Sequence, residues 1–218
     1  MPDGAVTVVL PCLDEATSLP GVLAKIPPGY QALVVDNNST DDTAGVARRH
    51  GAHVVTERQA GYGSAVHAGI VAAATPIVAV LDADGSLDPS ELPLMVDELE
   101  RGADMVIGRR RPVRGLRWPW HARVGTAAVS WRLRTRHHLA VHDIAPMRVA
   151  RRDALLKLGV EDRRSGYPVE LLVRAAAAGW TVVERDVGYG PRTGGKSKVS
   201  GSARGSLVAA VDFWRAIS

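Results

Sequence analysis

Short apolar runs recur through the first half of this sequence: Val6–Leu10, Ala32–Val35, Ala52–Val55, Ile77–Leu81 and Met105–Ile107. They are apolar nearly from end to end and do not alternate with polar residues. A strand of that composition has two faces to bury, which confines it to a largely parallel sheet with helices on both sides. The intervening segments supply those helices. Ser18–Ile26 places Leu19, Val22, Leu23 and Ile26 at helical spacing and stops at Pro27-Pro28-Gly29. Ala44–His50 follows the helix-starting residues Thr40–Thr43, Gly63–Ala74 is rich in alanine, and Pro89–Arg101 leads to the fifth run. The expected fold class is therefore α/β, a doubly wound and mostly parallel sheet. Such sheets bind ligands beyond the carboxyl ends of their strands, where the polar clusters of this chain fall.

The second half is less regular. Val124–Arg134, Ala150–Leu158 and Pro168–Ala178 read as helices and Thr181–Glu184 as a strand. A Gly/Ser/Lys loop, Gly190–Gly205, then precedes a short amphipathic helix, Leu207–Ile217. With 46% hydrophobic and 23% charged residues, the composition is that of a soluble globular protein. Cys12 is the sole cysteine, which excludes an intrachain disulfide. No run approaches the about 18 apolar residues of a membrane span, and Met1-Pro2-Asp3-Gly4 lacks a basic leader. A cytoplasmic location follows as the expectation.

The net charge of +4 is unevenly spread. Between Arg109 and His142 there is no Asp or Glu, but there are arginines throughout. A field of one sign attracts anions such as phosphates, nucleic acid or acidic lipid. Trp118, Trp120 and Trp131 stand among those arginines, a pairing that also suits the cytoplasmic face of a membrane as a peripheral contact. No reading helix or stacking sheet accompanies the charge, so nucleic acid is not an expected partner.

Asp82-Ala83-Asp84 ends the fourth run, just before Gly85-Ser86. Residues i and i+2 of an extended segment project to the same side. Both carboxylates thus converge at a strand exit, a donor pair suited to a divalent cation that also holds a diphosphate. Taken alone, such a pair is more often a polar strand-to-loop turn. Gly61-Tyr62-Gly63 is no dinucleotide fingerprint, because Val66 stands where the third glycine belongs. The histidines lack metal spacing, and no Gly-x-Ser-x-Gly nucleophile motif occurs.

In order and spacing, Pro11-Cys12-Leu13-Asp14-Glu15, Val34–Asp41, Gly61-Tyr62-Gly63 and Asp82-Ala83-Asp84 resemble the family 2 glycosyltransferases of GT-A fold. Gly108-Arg109-Arg110, His142-Asp143 with Arg148, Gly166–Glu170 and Arg192–Lys198 are similar to the polyprenyl-phosphate sugar transferases, the dolichyl-phosphate mannose synthase group. The resemblance runs from Val6 to about Trp214 and implies one GT-A domain over 1–218. Residues 1–107 would form a nucleotide-binding half and 108–218 an acceptor half. It implies an inverting transfer of a hexose from a UDP- or GDP-linked nucleotide sugar to a polyprenyl phosphate or another small acceptor.

The roles it implies are as follows. Pro11, Leu13, Glu15, Asp36, Gly61, Gly63, Asp82 and Ala83 bind the nucleotide. Asp82 and Asp84 hold Mg²⁺ or Mn²⁺, with the neutral Ser86 where relatives place a third polar group. Arg110, Arg123, Glu170, Arg192, Lys196 and Lys198 bind acceptor or phosphate, and Asp84, Asp143 and Arg192 are catalytic. A phosphate acceptor is already a nucleophile, whereas a hydroxyl acceptor needs a base, for which Asp143 or Glu170 is expected. Ala145-Pro146-Met147 replaces the relatives' Ser-Gly-Phe, which leaves the acceptor open. Two rivals share the fold: a pyrophosphorylase, which needs a phosphate loop in place of Pro11–Glu15, and a non-catalytic nucleotide-sugar binder.

Overall fold

The computed structural model describes residues 5–116, 120–144 and 146–194. Lys196, Lys198 and the helix expected over Leu207–Ile217 lie outside the described residues.

The apolar runs become β1 (Val6–Cys12), β2 (Tyr30–Asp36), β3 (His53–Thr56), β4 (Ile77–Val80) and the start of β5 (Met105–Pro112). Between them lie the helices α1 (Leu19–Leu23), α2 (Thr43–Arg49), α3 (Tyr62–Ala72) and α4 (Leu92–Glu100). The second half adds α5 (Trp120–His137), β6 (Arg148–Arg151), α6 (Arg152–Lys157), α7 (Tyr167–Ala177) and β7 (Val182–Tyr189). One seven-stranded sheet takes strands from both halves in the order β3-β2-β1-β4-β6-β5-β7. Among the described strands, only β6 runs antiparallel to its neighbours.

The strands divide their side chains between two cores, as the period of two requires. Val9, Leu33, Val35, Val78, Val80, Met105 and Ile107 face α3, α5 and α7, where Val66, Leu133 and Leu172 meet them. Val8, Leu10, Val34, Ile77, Ala79 and Val106 face α1, α2 and α4, against Val22, Ala47 and Met95. Gly69 of α3 is pressed onto the sheet, where an added Cβ would stand 2.3 Å from Val9.

Two departures from the expected elements bear on function. A helix was expected from Ala150, but Arg148–Arg151 is instead a strand with the helix starting at Arg152. The run Val149-Ala150 is too short to announce a strand, yet β6 is inserted between β4 and β5. Both its edges are hydrogen-bonded, and Val149 and Ala150 are buried on opposite faces. Tertiary pairing overrides the weak local preference. Second, β5 and β7 run on through polar residues, in register from Met105 opposite Val182 to Pro112 opposite Tyr189. Their partnership carries Arg109, Arg110 and Arg111 past the rim of the sheet.

Candidate active site

The carboxyl ends of β1, β2 and β4 lie side by side, and β6 enters from the same end because it is antiparallel. Arg148, its first residue, stands opposite Val80 of β4 and Ile107 of β5. It is buried, its Nη2 3.5 Å from the Tyr62 hydroxyl. Burial pushes the hydroxyl of neighbouring Tyr167 up to about 12.

Asp82 and Asp84 leave β4 at this rim. Asp84 is buried; its Oδ1 accepts the Ser86 N–H at 2.8 Å, and its Oδ2 pairs with Arg192 Nη1 at 2.7 Å. The backbone reinforces that bridge: Thr193 N–H donates to the Asp84 carbonyl at 2.9 Å, and Gly190 N–H to the Ser86 carbonyl at 2.8 Å. Gly85 permits the contact. Its φ is +77°, and an added Cβ would stand 2.3 Å from Thr193 Oγ1. The segment after β7 is thus laid across the carboxylate pair.

Burial, followed by the charge of Asp84, pushes the Asp82 carboxyl up to about 6, although Arg148, Arg192 and Arg110 pull the other way. The folded state then holds this proton more tightly than the unfolded chain, so the associated stability is full below about pH 4 and lost as pH rises through about 6. Denaturant unfolding in chelator is expected to show wild type losing on the order of 2 kcal/mol between these limits through this group. Asp82→Asn should flatten that slope, and equal slopes for the two proteins would contradict it.

Among the described residues, no three or more His, Cys, Asp or Glu side chains gather as a metal cluster. The carboxylate pair Asp82 and Asp84 offers hard oxygen donors, the chemistry that Mg²⁺ or Mn²⁺ takes.

Across the rim, Asp143 is buried and committed to Arg110. Its Oδ2 accepts the Arg110 backbone N–H at 3.0 Å and Nε at 2.8 Å, and its Oδ1 accepts Nη2 at 2.7 Å. Burial alone would lower the Arg110 pKa, but the hydrogen bonds and charge of Asp143 raise it. Arg110 also lies over the Tyr189 ring, 5.4 Å from its centre. Glu184 of β7 fixes the segment behind: its Oε1 accepts the N–H groups of His142 and Asp143 at 2.6 and 3.0 Å. Arg109, Arg110, Arg111, Arg123, His142 and Asp143 line a cleft of about 700 Å³. Arg111 is paired with Asp186 at 2.8 Å, and Arg123 is exposed.

The nucleotide candidates gather at the other side of the rim. Pro11 and Leu13 are half-buried beside the exit of β1, and Ala83 is buried between the two aspartates. Asp36 closes a turn by accepting the Ser39 N–H at 3.1 Å, and Glu15 Oε2 accepts the Ser18 hydroxyl at 2.7 Å. Burial, then the charges of Glu15, Asp36, Asp41 and Asp82, hold the Cys12 thiol well above its usual range, so this end of the site is negative. Asn37 ties the loops together. Its Nδ2 donates to the Glu57 and Gln59 carbonyls, each at 2.8 Å, and its Oδ1 accepts the Gly61 N–H at 2.9 Å.

Three sequence expectations meet other surroundings. Gly61 and Gly63, expected to let backbone approach a nucleotide, let the chain approach itself: added Cβ atoms would stand 2.1 Å from the Arg163 carbonyl oxygen and 2.4 Å from that of Asp162. Glu170 is not at the cleft. It accepts the Glu161 and Asp162 N–H groups and pairs with Arg174; those two hydrogen bonds, then Arg174, hold its carboxyl below the usual range against the effect of burial. Asp143, expected as a base, has the guanidinium of Arg110 along its carboxylate. Asn37 and Glu184 drew no role from sequence, since an amide in a turn and a carboxylate in a polar strand carry no local sign of their distant partners.

Residues 7–159 match the family model described as glycosyl transferase family 2. The chain is 75% identical, over all 218 residues of both proteins, to an uncharacterized glycosyltransferase of Mycobacterium tuberculosis. It is 32% identical over 216 residues to the polyprenol monophosphomannose synthase of Mycolicibacterium smegmatis, covering 89% of this chain and 81% of the relative. Its fold is similar to that of glucosyl-3-phosphoglycerate synthase from Mycobacterium tuberculosis, crystallised with Mn²⁺, UDP and glucosyl-3-phosphoglycerate. The TM-score is 0.78 at 21% identity, over 98% of this chain and 80% of that one.

Proposed function

The chain belongs to glycosyl transferase family 2, and from that premise we propose that it moves a hexose from a UDP- or GDP-linked nucleotide sugar to a phosphate-bearing acceptor, with inversion. The observation that carries this reading is the pair Asp82 and Asp84 at the β4 exit with Arg110, Arg148 and Arg192 acting on it. Carboxylates for a cation and arginines for phosphates meet at one rim.

The negative loops around Pro11, Leu13, Glu15 and Asp36 receive the nucleoside, with carboxylates accepting from base N–H groups and ribose hydroxyls. Asp82 and Asp84 would hold Mg²⁺ or Mn²⁺, which when bound would supply positive charge to balance the departing diphosphate. Arg192, paired with Asp84, would turn to a phosphate when Asp84 is otherwise engaged. Arg110 and Arg123 hold the acceptor phosphate in the cleft, Arg110 in the orientation that Asp143 and Tyr189 impose. An acceptor phosphate oxygen then attacks the anomeric carbon from the side opposite the leaving group. The bond from that carbon to the diphosphate oxygen breaks, and the nucleoside diphosphate leaves with the electron pair. No protein base is needed, because the attacking oxygen is already ionised; positioning and charge supply the rate. Asp143 is therefore a positioning residue, and Glu170 supports the turn beside α3.

The acceptor phosphate could be borne by a lipid, as in the name of the Mycolicibacterium smegmatis relative, or by a small acid, as in the structural neighbour. Thermal unfolding with UDP, GDP and their sugar conjugates, each with Mn²⁺, Mg²⁺ or chelator, tests the donor side. A ligand at about a hundred times its dissociation constant stabilises by roughly 2.7 kcal/mol, a rise of about 5 to 10 °C for a chain of this size. Stabilisation by one nucleotide that chelator abolishes is the expected result, and none with any nucleotide would overturn the reading. Turnover with a short polyprenyl phosphate against a phosphorylated small acid separates the two acceptor sources.

A further inference from the structure

Helix α5 has two unlike faces. Val129, Ser130 and Leu133 are buried against the core, whereas Val124, Ala127, Ala128, Trp131 and Thr135 are exposed. At about 100° per residue, the exposed set forms one stripe opposite Leu133. Val124 and Trp131 are each 59% exposed, although both are large and apolar. By the same geometry Arg123 and Arg134 border the stripe on one side, and Arg132 and Arg136 on the other. The stripe is continuous with the arginine-lined cleft, since Val124 and Ala127 line both. Val113, beyond the end of β5, is a further exposed apolar side chain, at 46%.

We propose that this face of α5 docks on an anionic lipid surface, Trp131 and Val124 entering the headgroup boundary and the flanking arginines meeting lipid phosphates. Exposed Trp131 and Val124 between rows of arginine, on a helix without a single carboxylate, supply an aromatic anchor and cationic flanks for a membrane interface. Charge complementarity selects the occupant. From Arg109 to His142 the chain has no Asp or Glu, so a second copy packed on this face would set arginine against arginine. A lipid surface of negative potential instead attracts every charge in the segment. Docking would also turn the cleft mouth toward the bilayer. This goes beyond the acceptor reading and does not depend on it: a surface contact needs no turnover and is measured without acceptor.

Co-sedimentation of the full chain with phosphatidylcholine vesicles, with and without phosphatidylglycerol, tests the proposal. The protein is expected to sediment with the anionic vesicles alone, and less so as salt rises. Trp131→Glu should weaken binding at least about tenfold and Arg136→Gln about fivefold. Both side chains are exposed, so both variants should melt like wild type and keep wild-type turnover on a water-soluble acceptor. No sedimentation with anionic vesicles overturns the proposal, as does unchanged sedimentation of both variants. A dimer in light scattering that Trp131→Glu dissociates would overturn it too, by giving the face to a second copy.

Discussion

Asp84→Asn is expected to lower turnover by about 10² to 10³-fold, the scale on which removing one electrostatic contact to the developing charge acts, while leaving the fold intact. The amide oxygen can still accept the Ser86 N–H that Oδ1 accepts now. The pair with Arg192 is lost, but Arg192 is partly exposed, so that loss is small. Against it stands a gain, because the charge of Asp84 is one of the causes that push the Asp82 carboxyl up. A melting temperature close to wild type should therefore accompany the loss of rate. Calorimetric titration with Mn²⁺ in the presence of nucleotide should show the matching loss of metal affinity. Turnover within tenfold of wild type, with unchanged metal dependence, would remove Asp84 from the site.

Asp143→Ala is expected to act first on stability. The Arg110 side chain is only 15% exposed and has its Nε, Nη2 and backbone N–H on this one carboxylate. Removing one partner of a buried pair leaves the other charge uncompensated, at a cost of roughly 3 to 5 kcal/mol. For a chain of this size the melting temperature should fall by about 10 °C, and the acceptor KM should rise as Arg110 loses its orientation. A general base would behave differently: Asp143→Asn would abolish the limb of the pH–rate profile that rises as the base deprotonates, whereas loss of a positioning residue leaves the shape of that profile unchanged and raises the acceptor KM. The double replacement Arg110→Met with Asp143→Leu separates the roles further. It should regain much of the stability, since a packed apolar pair can replace a buried ion pair, yet keep the raised KM.

How far the sequence reached can be judged from single residues. Asp82 and Asp84 were legible because an apolar run, a strand exit and an i, i+2 spacing are all properties of adjacent residues. Arg148 was legible only as the end of a motif. Its position beside the carboxylates depends on β6, whose Val149-Ala150 core gives too little local signal to compete with the helix that follows. Glu170 and Asp143 show the same limit from the other side. Each is a carboxylate in a motif, and only the fold shows one bonded to Arg174 and the other to Arg110.

The sequence by itself determined the sheet and the rim at which the site is built. Runs apolar on both faces can be satisfied only between two helical layers, and the side-chain period of two then divides Val8 from Val9 and Val34 from Val35 whatever the rest of the chain does. Tertiary structure alone decided the partners. This chain is rich in arginine, and nothing local to Arg110 or Arg192 distinguishes one carboxylate from another. Asp143 lies 33 residues from Arg110, and the bridge from Arg192 to Asp84 joins the two halves of the chain. Coulomb attraction is nonspecific in sequence and falls with distance in space, so the loops that the packed sheet brings together determine which charges meet.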